Sequence, residues 1–338
     1  MKNTFFKLFA NCIPVDGASR STICDLQRGE IHIIPNDLYL ILQELEIKSI
    51  EKIKEIYGED NIFVICEYID FLIEKELGFI CDEDEVELFP KLDIHFEAHS
   101  EVMNAIIDVD QYEQPFEKII AELSYLRCSY LEIRCFSIVS MNFLNNIMKL
   151  LEGSPIKGVI FFVMYSPQLT EQEIATFCGN YLRVKSVTVH STPFLYISSC
   201  NSIDNKNIIF ISEIIKDERH CGFINPKYFS INIETFSESQ KHNTCLNNKL
   251  SIDKNGYIRN CPASKNNFGH IESNFLIDVI RNSVFTSSWH INKNEIDICK
   301  ICEFRHVCTD CRALIKDENN FLSKPINCTY DPYKAIWS

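Results

Sequence analysis

The hydrophobic and polar positions of this chain change their period twice, and the first stretch has the pattern of strands followed by helices. Short runs rich in β-branched residues flank a glycine, which predicts a β-hairpin. Apolar residues then recur every three or four positions and predict three amphipathic helices before a last strand. The predicted elements are a strand within 1–12, strands 19–27 and 30–34, helices 36–45, 49–58 and 61–77, and a strand 79–81.

The order of hairpin, three helices and returning strand is typical of a winged-helix domain, which we assign to residues 1–82. Winged helices often bind DNA through a basic helix, but the third helix here is acidic, which favours a peptide partner over a nucleic acid. The same order resembles the leader-peptide recognition element of ribosomal peptide pathways, in which a strand edge accepts the leader by strand addition. The charges of the third helix are Glu67, Asp70, Glu74 and Glu76 against Lys75.

A second pattern follows an acidic joint at residues 82–87, and it alternates strands with helices. Alternation of this kind predicts a parallel sheet, either open or partly closed as a β/α barrel, which we assign to residues 88–235. The predicted strands are 104–108, 130–134, 158–164, 186–190, 207–212 and 228–233, and the predicted helices are 116–126, 140–151 and 171–181.

The last part of the chain, residues 236–338, is polar and rich in cysteine. Two strand-like segments flank Asn255-Gly256, and Asn-Gly is the strongest short signal for a hairpin turn. The hairpin is expected to bring Cys261 back beside Cys245.

Composition and charge narrow the classes of partner and location. The chain has 338 residues, of which 46% are hydrophobic, enough for two or three domains with cores. Its formal net charge of −14 disfavours nonspecific binding to nucleic acid or to an anionic membrane. No run approaches the roughly 20 apolar residues of a membrane span. The sixteen cysteines are spread along a long chain, so we expect reduced thiols and a cytoplasmic location.

Seven cysteines in the last third have the spacing of metal ligands. Five follow the pattern C-x2-C-x5-C-x2-C-x16-C, and two more lie upstream, around the hairpin. A Cys-x2-Cys pair can turn both sulfurs toward one point, and thiolates suit zinc or iron–sulfur clusters. Seven ligands exceed one four-coordinate site, so we expect two sites, the second completed by another Cys or a His. The seven are Cys245, Cys261, Cys299, Cys302, Cys308, Cys311 and Cys328.

Most of the remaining cysteines lie scattered in apolar segments, where cysteine commonly serves as a small buried hydrophobic residue. We expect that structural role for them. They are Cys12, Cys24, Cys66, Cys81, Cys128, Cys135, Cys178 and Cys200.

The order Cys245-x10-Gly256-x4-Cys261, followed by the five-cysteine pattern, resembles the SPASM domain of peptide-modifying radical enzymes. One spacing departs from that family, x2 where x3 is usual before the sixth cysteine. The whole chain is most similar to the SPASM-domain maturases of grasp-with-spasm systems, which accompany an ATP-grasp ligase and a small precursor peptide. The resemblance implies two [4Fe–4S] clusters, one held by Cys299, Cys302, Cys308 and Cys328 and the other in part by Cys245, Cys261 and Cys311.

The second cluster lacks an assigned fourth ligand. Cys221 is the first candidate, and His242, three residues before Cys245, is the second. An open iron position is the third alternative, and it would leave room for a substrate.

The middle part resembles the barrel of radical S-adenosylmethionine enzymes, but it lacks two of their motifs. Those enzymes hold a cluster in a Cys-x3-Cys-x2-Cys loop after the first strand, whereas the loop 109–113 here contains no cysteine. The segment 135–140 after the second strand contains no Gly-Gly-Glu. We therefore expect a degenerate partial barrel that does not cleave S-adenosylmethionine.

These features favour maturation of a ribosomally synthesised precursor peptide, together with an ATP-grasp ligase and without radical chemistry. The sequence leaves open whether the chain is itself an enzyme, and it assigns no catalytic residue. One alternative is a zinc-stabilised peptide-binding scaffold, because cysteine spacing alone does not select the metal. A DNA-binding winged helix tied to a redox cluster and a Cys221 nucleophile beside His220 are weaker alternatives.

Overall fold

The computed structural model describes residues 3–193 and 207–338, which form a mixed α/β protein. The first unit contains a two-stranded and a three-stranded antiparallel sheet with three helices, and β1 pairs with β5 while β3 lies between β2 and β4. Its elements are β1 (Thr4–Leu8), β2 (Cys12–Val15), β3 (Ser21–Asp25), β4 (Glu30–Ile34), α1 (Asn36–Leu45), α2 (Ile50–Tyr57), α3 (Ile62–Glu74) and β5 (Gly78–Asp82).

Local sequence explains most of this unit. Ser49 caps α2 by accepting a hydrogen bond from the backbone N–H of Lys52 at 3.2 Å, and Gly58 ends that helix at φ +77°. The apolar stripes of the helices meet in one buried core that includes Leu38, Ile53 and Leu72. Strand β2 was not predicted, because Pro14 interrupts its short apolar run; the structure accommodates it on a sheet edge.

The second unit is a seven-stranded sheet, mostly parallel, in the order β10-β9-β8-β7-β6-β11-β12. Parallel pairing runs from β10 to β11, and only the β11–β12 hairpin is antiparallel. Its elements are β6 (Asn104–Val109), α4 (Phe116–Tyr125), β7 (Tyr130–Cys135), α5 (Met141–Leu150), β8 (Gly158–Met164), α6 (Glu171–Asn180), β9 (Val184–His190), β10 (Asn207–Phe210), α7 (Ile233–Ser239), β11 (Lys249–Ile252) and β12 (Ile258–Arg259).

The two faces of this sheet differ in polarity. Side chains of one parity, such as Ile107, Ile133 and Phe161, are fully buried in a core shared with the helices α4, α5 and α6. The opposite face carries Asp108 and Arg134, which are paired across neighbouring strands. Among the described residues the sheet does not close, so it is an open α/β sheet with one helix-covered face.

The strand predicted at 228–233 is wrong. The structure has a 3₁₀ turn at Pro226–Tyr228 there, and α7 begins at Ile233. The side chain of Asn232 accepts a hydrogen bond from the backbone N–H of Thr235 at 2.8 Å and so starts a helix. The apolar alternation of the segment is therefore overridden by its helix-capping asparagine.

The sheet continues past residue 235, because β11 pairs in parallel with β6 and brings the hairpin into the same core. Short elements complete the chain, and no helix in the described residues has the length and apolar character needed to cross a bilayer. These last elements are α8 (Leu276–Ile280), α9 (Ser283–Thr286), β13 (Tyr330–Asp331) and β14 (Ile336–Trp337).

The first unit contacts the cysteine-rich loop directly. The backbone N–H of Ala18 donates to the carbonyl oxygen of Ile301 at 2.9 Å, and the Thr22 hydroxyl donates to that of Glu303 at 3.0 Å. Arg20 Nε also donates to the buried Glu303 carboxylate at 2.8 Å. Backbone and side chain together thus fix residues 18–22 against this loop.

Candidate metal centre

Four of the predicted ligands form what we call the loop group: Cys299, Cys302, Cys308 and Cys328. A 3₁₀ turn at Cys299–Ile301 carries the backbone N–H of Cys302 to the carbonyl oxygen of Cys299 at 2.9 Å. Cys308 lies within electrostatic range of Cys299, Cys302 and Cys328. The structure therefore brings these four thiols into one neighbourhood.

Buried charges surround the loop group. Lys293 is 5% exposed and its ammonium donates to the carbonyl oxygen of Cys308. Asp310 is 1% exposed, accepts from Arg312 Nε at 2.9 Å and accepts from Asn243 Nδ2 at 2.8 Å. A buried ammonium beside four thiols suits a site that carries negative charge when metal is bound.

The other four candidate ligands form what we call the hairpin group: Cys221, Cys245, Cys261 and Cys311. The β11–β12 hairpin places Cys261 within electrostatic range of Cys245, and Cys311 and Cys221 are also within range of Cys245. Cys221 is exposed, whereas Cys311 is buried. The hairpin group therefore draws its four thiols from distant parts of the sequence, whereas those of the loop group lie within residues 299–328.

Burial, together with the neighbouring Cys245, raises the pKa of Cys261 to about 12 and that of Cys311 to about 11. Such thiols are neutral at pH 7 when no cation is present. A bound metal ion reverses this preference, because thiolate is the ligand form and its negative charge is then compensated.

Two features test whether these residues suit a metal. The donors in each group are four sulfurs, the set that zinc and iron–sulfur clusters take. The backbone at Gly222 approaches Cys311 closely, since a Cβ there would lie only 3.1 Å from the Cys311 sulfur. Within residues 3–193 and 207–338, however, no three His, Cys, Asp or Glu side chains already stand in a ligand arrangement. The groups fit a metal in composition and neighbourhood, and ligation requires a rearrangement of their side chains.

His242, the second candidate for a fourth ligand, has two aromatic rings as neighbours. Its ring lies 5.4 Å from that of His290 and 6.0 Å from that of Phe96, measured between centroids. Burial lowers the pKa of His242, and His290 lowers it further. The His242 ring therefore lies against His290 and Phe96, while Cys221 lies within electrostatic range of Cys245.

Six of the remaining cysteines are buried and Cys66 is half-buried, as their apolar surroundings predicted. Cys128, Cys135 and Cys178 belong to the core of the large sheet, and Cys12 belongs to that of the first unit. Cys200 lies outside the described residues.

Sequence reasoning missed a buried ion pair on the face of the sheet opposite to α4, α5 and α6. Arg134 Nε and Nη2 donate to the two carboxylate oxygens of Asp108 at 2.7 and 2.9 Å. Arg134 also lies within electrostatic range of Cys221, so the pair borders the hairpin group. The sequence feature that could have predicted this pair is one charged residue near the end of each of two neighbouring apolar strands.

We expect Gly222→Ala to lower the free energy of unfolding by more than about 1 kcal/mol, which is the cost of an alanine in the left-handed region of backbone conformation. We also expect this substitution to lower the metal content of the protein. Gly222 has φ +83°, and the added Cβ would press on the Cys311 sulfur. Gly153→Ala is the matched control, because Gly153 has φ +78° with nothing within 4 Å of its Cβ position. Urea unfolding and metal analysis check both variants; equal effects would mean that contact with Cys311 is unimportant.

Comparisons with known proteins do not establish a family for this chain. No protein-family model and no curated protein sequence matches it. It is similar to a crystal structure of SuiB from Streptococcus suis bound to S-adenosylmethionine, with 11% identity, a TM-score of 0.36, and coverage of 94% of this chain and 98% of SuiB.

A second crystal structure shows SuiB bound to the precursor peptide SuiA; the identity is 12%, the TM-score 0.29, and the coverage 91% of this chain and 96% of that one. Both TM-scores are too low to carry an argument about fold or function. The relationship to SPASM-domain maturases accordingly stays a prediction from the cysteine order.

Proposed function

We propose that this protein takes part in maturation of a ribosomally synthesised precursor peptide and holds two [4Fe–4S] clusters in its last third. The observation that carries the proposal is the division of eight cysteines into two groups of four. The loop group would hold one cluster and the hairpin group the other, with Cys221 as its fourth ligand. When bound, such clusters supply one-electron transfer or a Lewis-acidic iron.

The first unit has a surface suited to an extended peptide. Strand β4 pairs only with β3 among the described strands, so its outer edge can accept another strand. Ile33 on this strand is 44% exposed. Phe63 on the acidic helix α3 is 70% exposed. These features support a role for the proposed winged-helix unit, residues 1–82, in binding a precursor leader.

The proposal does not include cleavage of S-adenosylmethionine by the usual route. Strand β6 ends at Val109, and the loop that follows it carries carboxylates but no thiol. In the proposed scheme the protein acts with an ATP-grasp ligase, and its own residues bind the peptide and hold the clusters.

Anaerobic purification followed by iron, sulfide and zinc determination tests the cluster part. We expect about eight iron and eight sulfide per chain, with a brown colour from sulfur-to-iron charge transfer. Co-expression with a neighbouring precursor peptide, followed by mass analysis, tests maturation. Protein that contains zinc alone, with no sulfide, would contradict the iron–sulfur assignment.

A zinc-stabilised scaffold is the second candidate, because each group offers the closed four-cysteine set of a structural zinc site. This alternative predicts about two zinc ions per chain and no sulfide. It also predicts that the protein binds the peptide and leaves its mass unchanged in the absence of the ligase.

A further inference from the structure

Each of the two groups of thiols has a lysine beside it. Lys293 lies beside the loop group, is 5% exposed and donates from its ammonium to the carbonyl oxygen of Cys308. Lys249 is half-buried and lies within electrostatic range of Cys261 and of two other cysteines of the hairpin group. Both groups therefore have a lysine ammonium as a neighbour.

The pairing of the hairpin explains the position of Lys249. Strand β11 begins at Lys249, four residues after Cys245. Ser251 on this strand pairs with Arg259 on β12. Continuing that antiparallel register by two residues sets Lys249 opposite Cys261, and side chains opposite one another lie on the same face with their Cβ atoms about 5 Å apart. The backbone thus directs the lysine to the face of the hairpin that carries a candidate ligand.

The ammonium of Lys249 has no bonded partner in the part of the chain that the structure describes. Glu132 and Glu238 lie within electrostatic range of it, but neither forms an ion pair with it. Glu238 instead accepts a hydrogen bond from Asn247 Nδ2 at 2.9 Å. A half-buried cation without a bonded counter-charge is stabilised by negative charge that develops beside it.

A second cation near the hairpin group is already compensated. Arg134 lies within electrostatic range of Cys221, as Lys249 does. The Arg134 guanidinium makes two hydrogen bonds to the Asp108 carboxylate, at 2.7 and 2.9 Å, so its charge is balanced by that partner. Of these two cations, Lys249 is therefore the one whose charge can act on the sulfurs.

The hairpin group becomes negatively charged when it binds a metal. Four thiolates give a bound zinc ion or an oxidised [4Fe–4S] cluster a net charge of about −2, and one-electron reduction of the cluster makes that charge about −3. A nearby cation stabilises both forms of the cluster, and it stabilises the reduced form more. A lysine ammonium beside the sulfurs therefore strengthens metal binding and raises the reduction potential of a cluster.

We propose that Lys249 compensates the negative charge of the metal-bound hairpin group and thereby sets how tightly this group holds its metal and how readily a cluster there is reduced. The inference rests on the proposed function, because it requires metal at the hairpin group. Lys249 is not a ligand in this scheme. It acts on the sulfurs through its charge, so a substitution that keeps the charge should keep the effect.

The test is a redox titration of the anaerobically purified full chain, followed by electron paramagnetic resonance, together with iron and sulfide determination. In Lys249→Met we expect the midpoint potential of one cluster to fall by about 59 mV or more, a ten-fold change in the equilibrium constant for one electron, while the other cluster keeps its potential. Lys249→Arg should keep both potentials. In a chain that holds zinc, competition with a chelator should show one of the two ions bound about ten-fold more weakly in Lys249→Met.

Lys254→Met is the matched control, because it removes the same charge from the turn of the same hairpin and should change neither site. Urea unfolding checks that each variant folds. Loss of about half of the iron in Lys249→Met but not in Lys249→Arg would also support the proposal, as weakened binding at one group.

A fully loaded Lys249→Met chain with unchanged potentials and unchanged metal affinity overturns this inference alone. An equal change in Lys249→Arg or in Lys254→Met overturns it as well, because the effect would then not depend on the charge at this position. An unchanged chain without metal at the hairpin group contradicts the proposed function, and this inference with it. Metal analysis of the unchanged chain therefore distinguishes the two failures.

Discussion

Replacing Cys308 with serine should remove about half of the iron and sulfide from anaerobically prepared protein, and replacing Cys261 should remove the other half. Each substitution takes one sulfur from only one group, because Cys308 has its thiol neighbours in the loop group and Cys261 has them in the hairpin group. A serine hydroxyl is a poor ligand at neutral pH, so the affected cluster is lost. The double variant should retain almost no iron.

Iron and sulfide determination, together with absorbance near the charge-transfer band, checks this expectation. Cys66→Ser is the control, because Cys66 lies half-buried on α3 and belongs to neither group. If either single variant lost all of its iron, the two groups would not be separate sites. If both kept all of it, these cysteines would not be ligands.

Replacing Arg134 with methionine should destabilise the folded chain by about 3–5 kcal/mol. The Asp108 side chain is 0% exposed and Arg134 makes two short hydrogen bonds to it, so the substitution leaves a buried carboxylate without its cation. The attraction of Asp108 holds the pKa of Arg134 above its usual range even though burial alone would lower it. Burial raises the pKa of Asp108 to about 6 against the attraction of Arg134, so both partners are charged at neutral pH.

Urea unfolding measures the effect, and two further variants interpret it. Asp108→Leu/Arg134→Met should recover most of the lost stability, because a matched apolar pair leaves no charge to compensate. Lys52→Met breaks the exposed pair with Glu55 and should cost less than about 1 kcal/mol. An Arg134→Met chain as stable as the unchanged one would show that Asp108 is neutralised by some other group.

The sequence predicted elements whose signals are local. The three helices of the first unit, the strand–helix alternation and the Asn255-Gly256 hairpin all depend on period, capping or turn chemistry within a few residues. The segment 228–233 was misread because its apolar alternation outweighed the cap at Asn232.

Features that depend on contacts between residues far apart in the sequence were harder to predict. Strand β11 lies beside β6 although about 140 residues separate them, and no local signal specifies that neighbour. The ion pair of Asp108 and Arg134 depends on the same register, since the two residues face each other on adjacent strands. For the cysteines, spacing indicated seven candidate ligands, while the proximity of Cys221 to Cys245 became apparent only in three dimensions.

The hydrogen bonds from Ala18 and Thr22 to the loop that carries Cys299 and Cys302 have a thermodynamic consequence. Ordering of that loop and ordering of residues 18–22 contribute to one another, so a metal bound on one side would be linked to a peptide bound on the other. Linkage is reciprocal: whatever factor the metal adds to peptide affinity, the peptide adds to metal affinity. If the proposed leader peptide orders residues 18–22, a chelator would therefore remove less of the proposed metal at equilibrium from the peptide-bound chain than from the free chain.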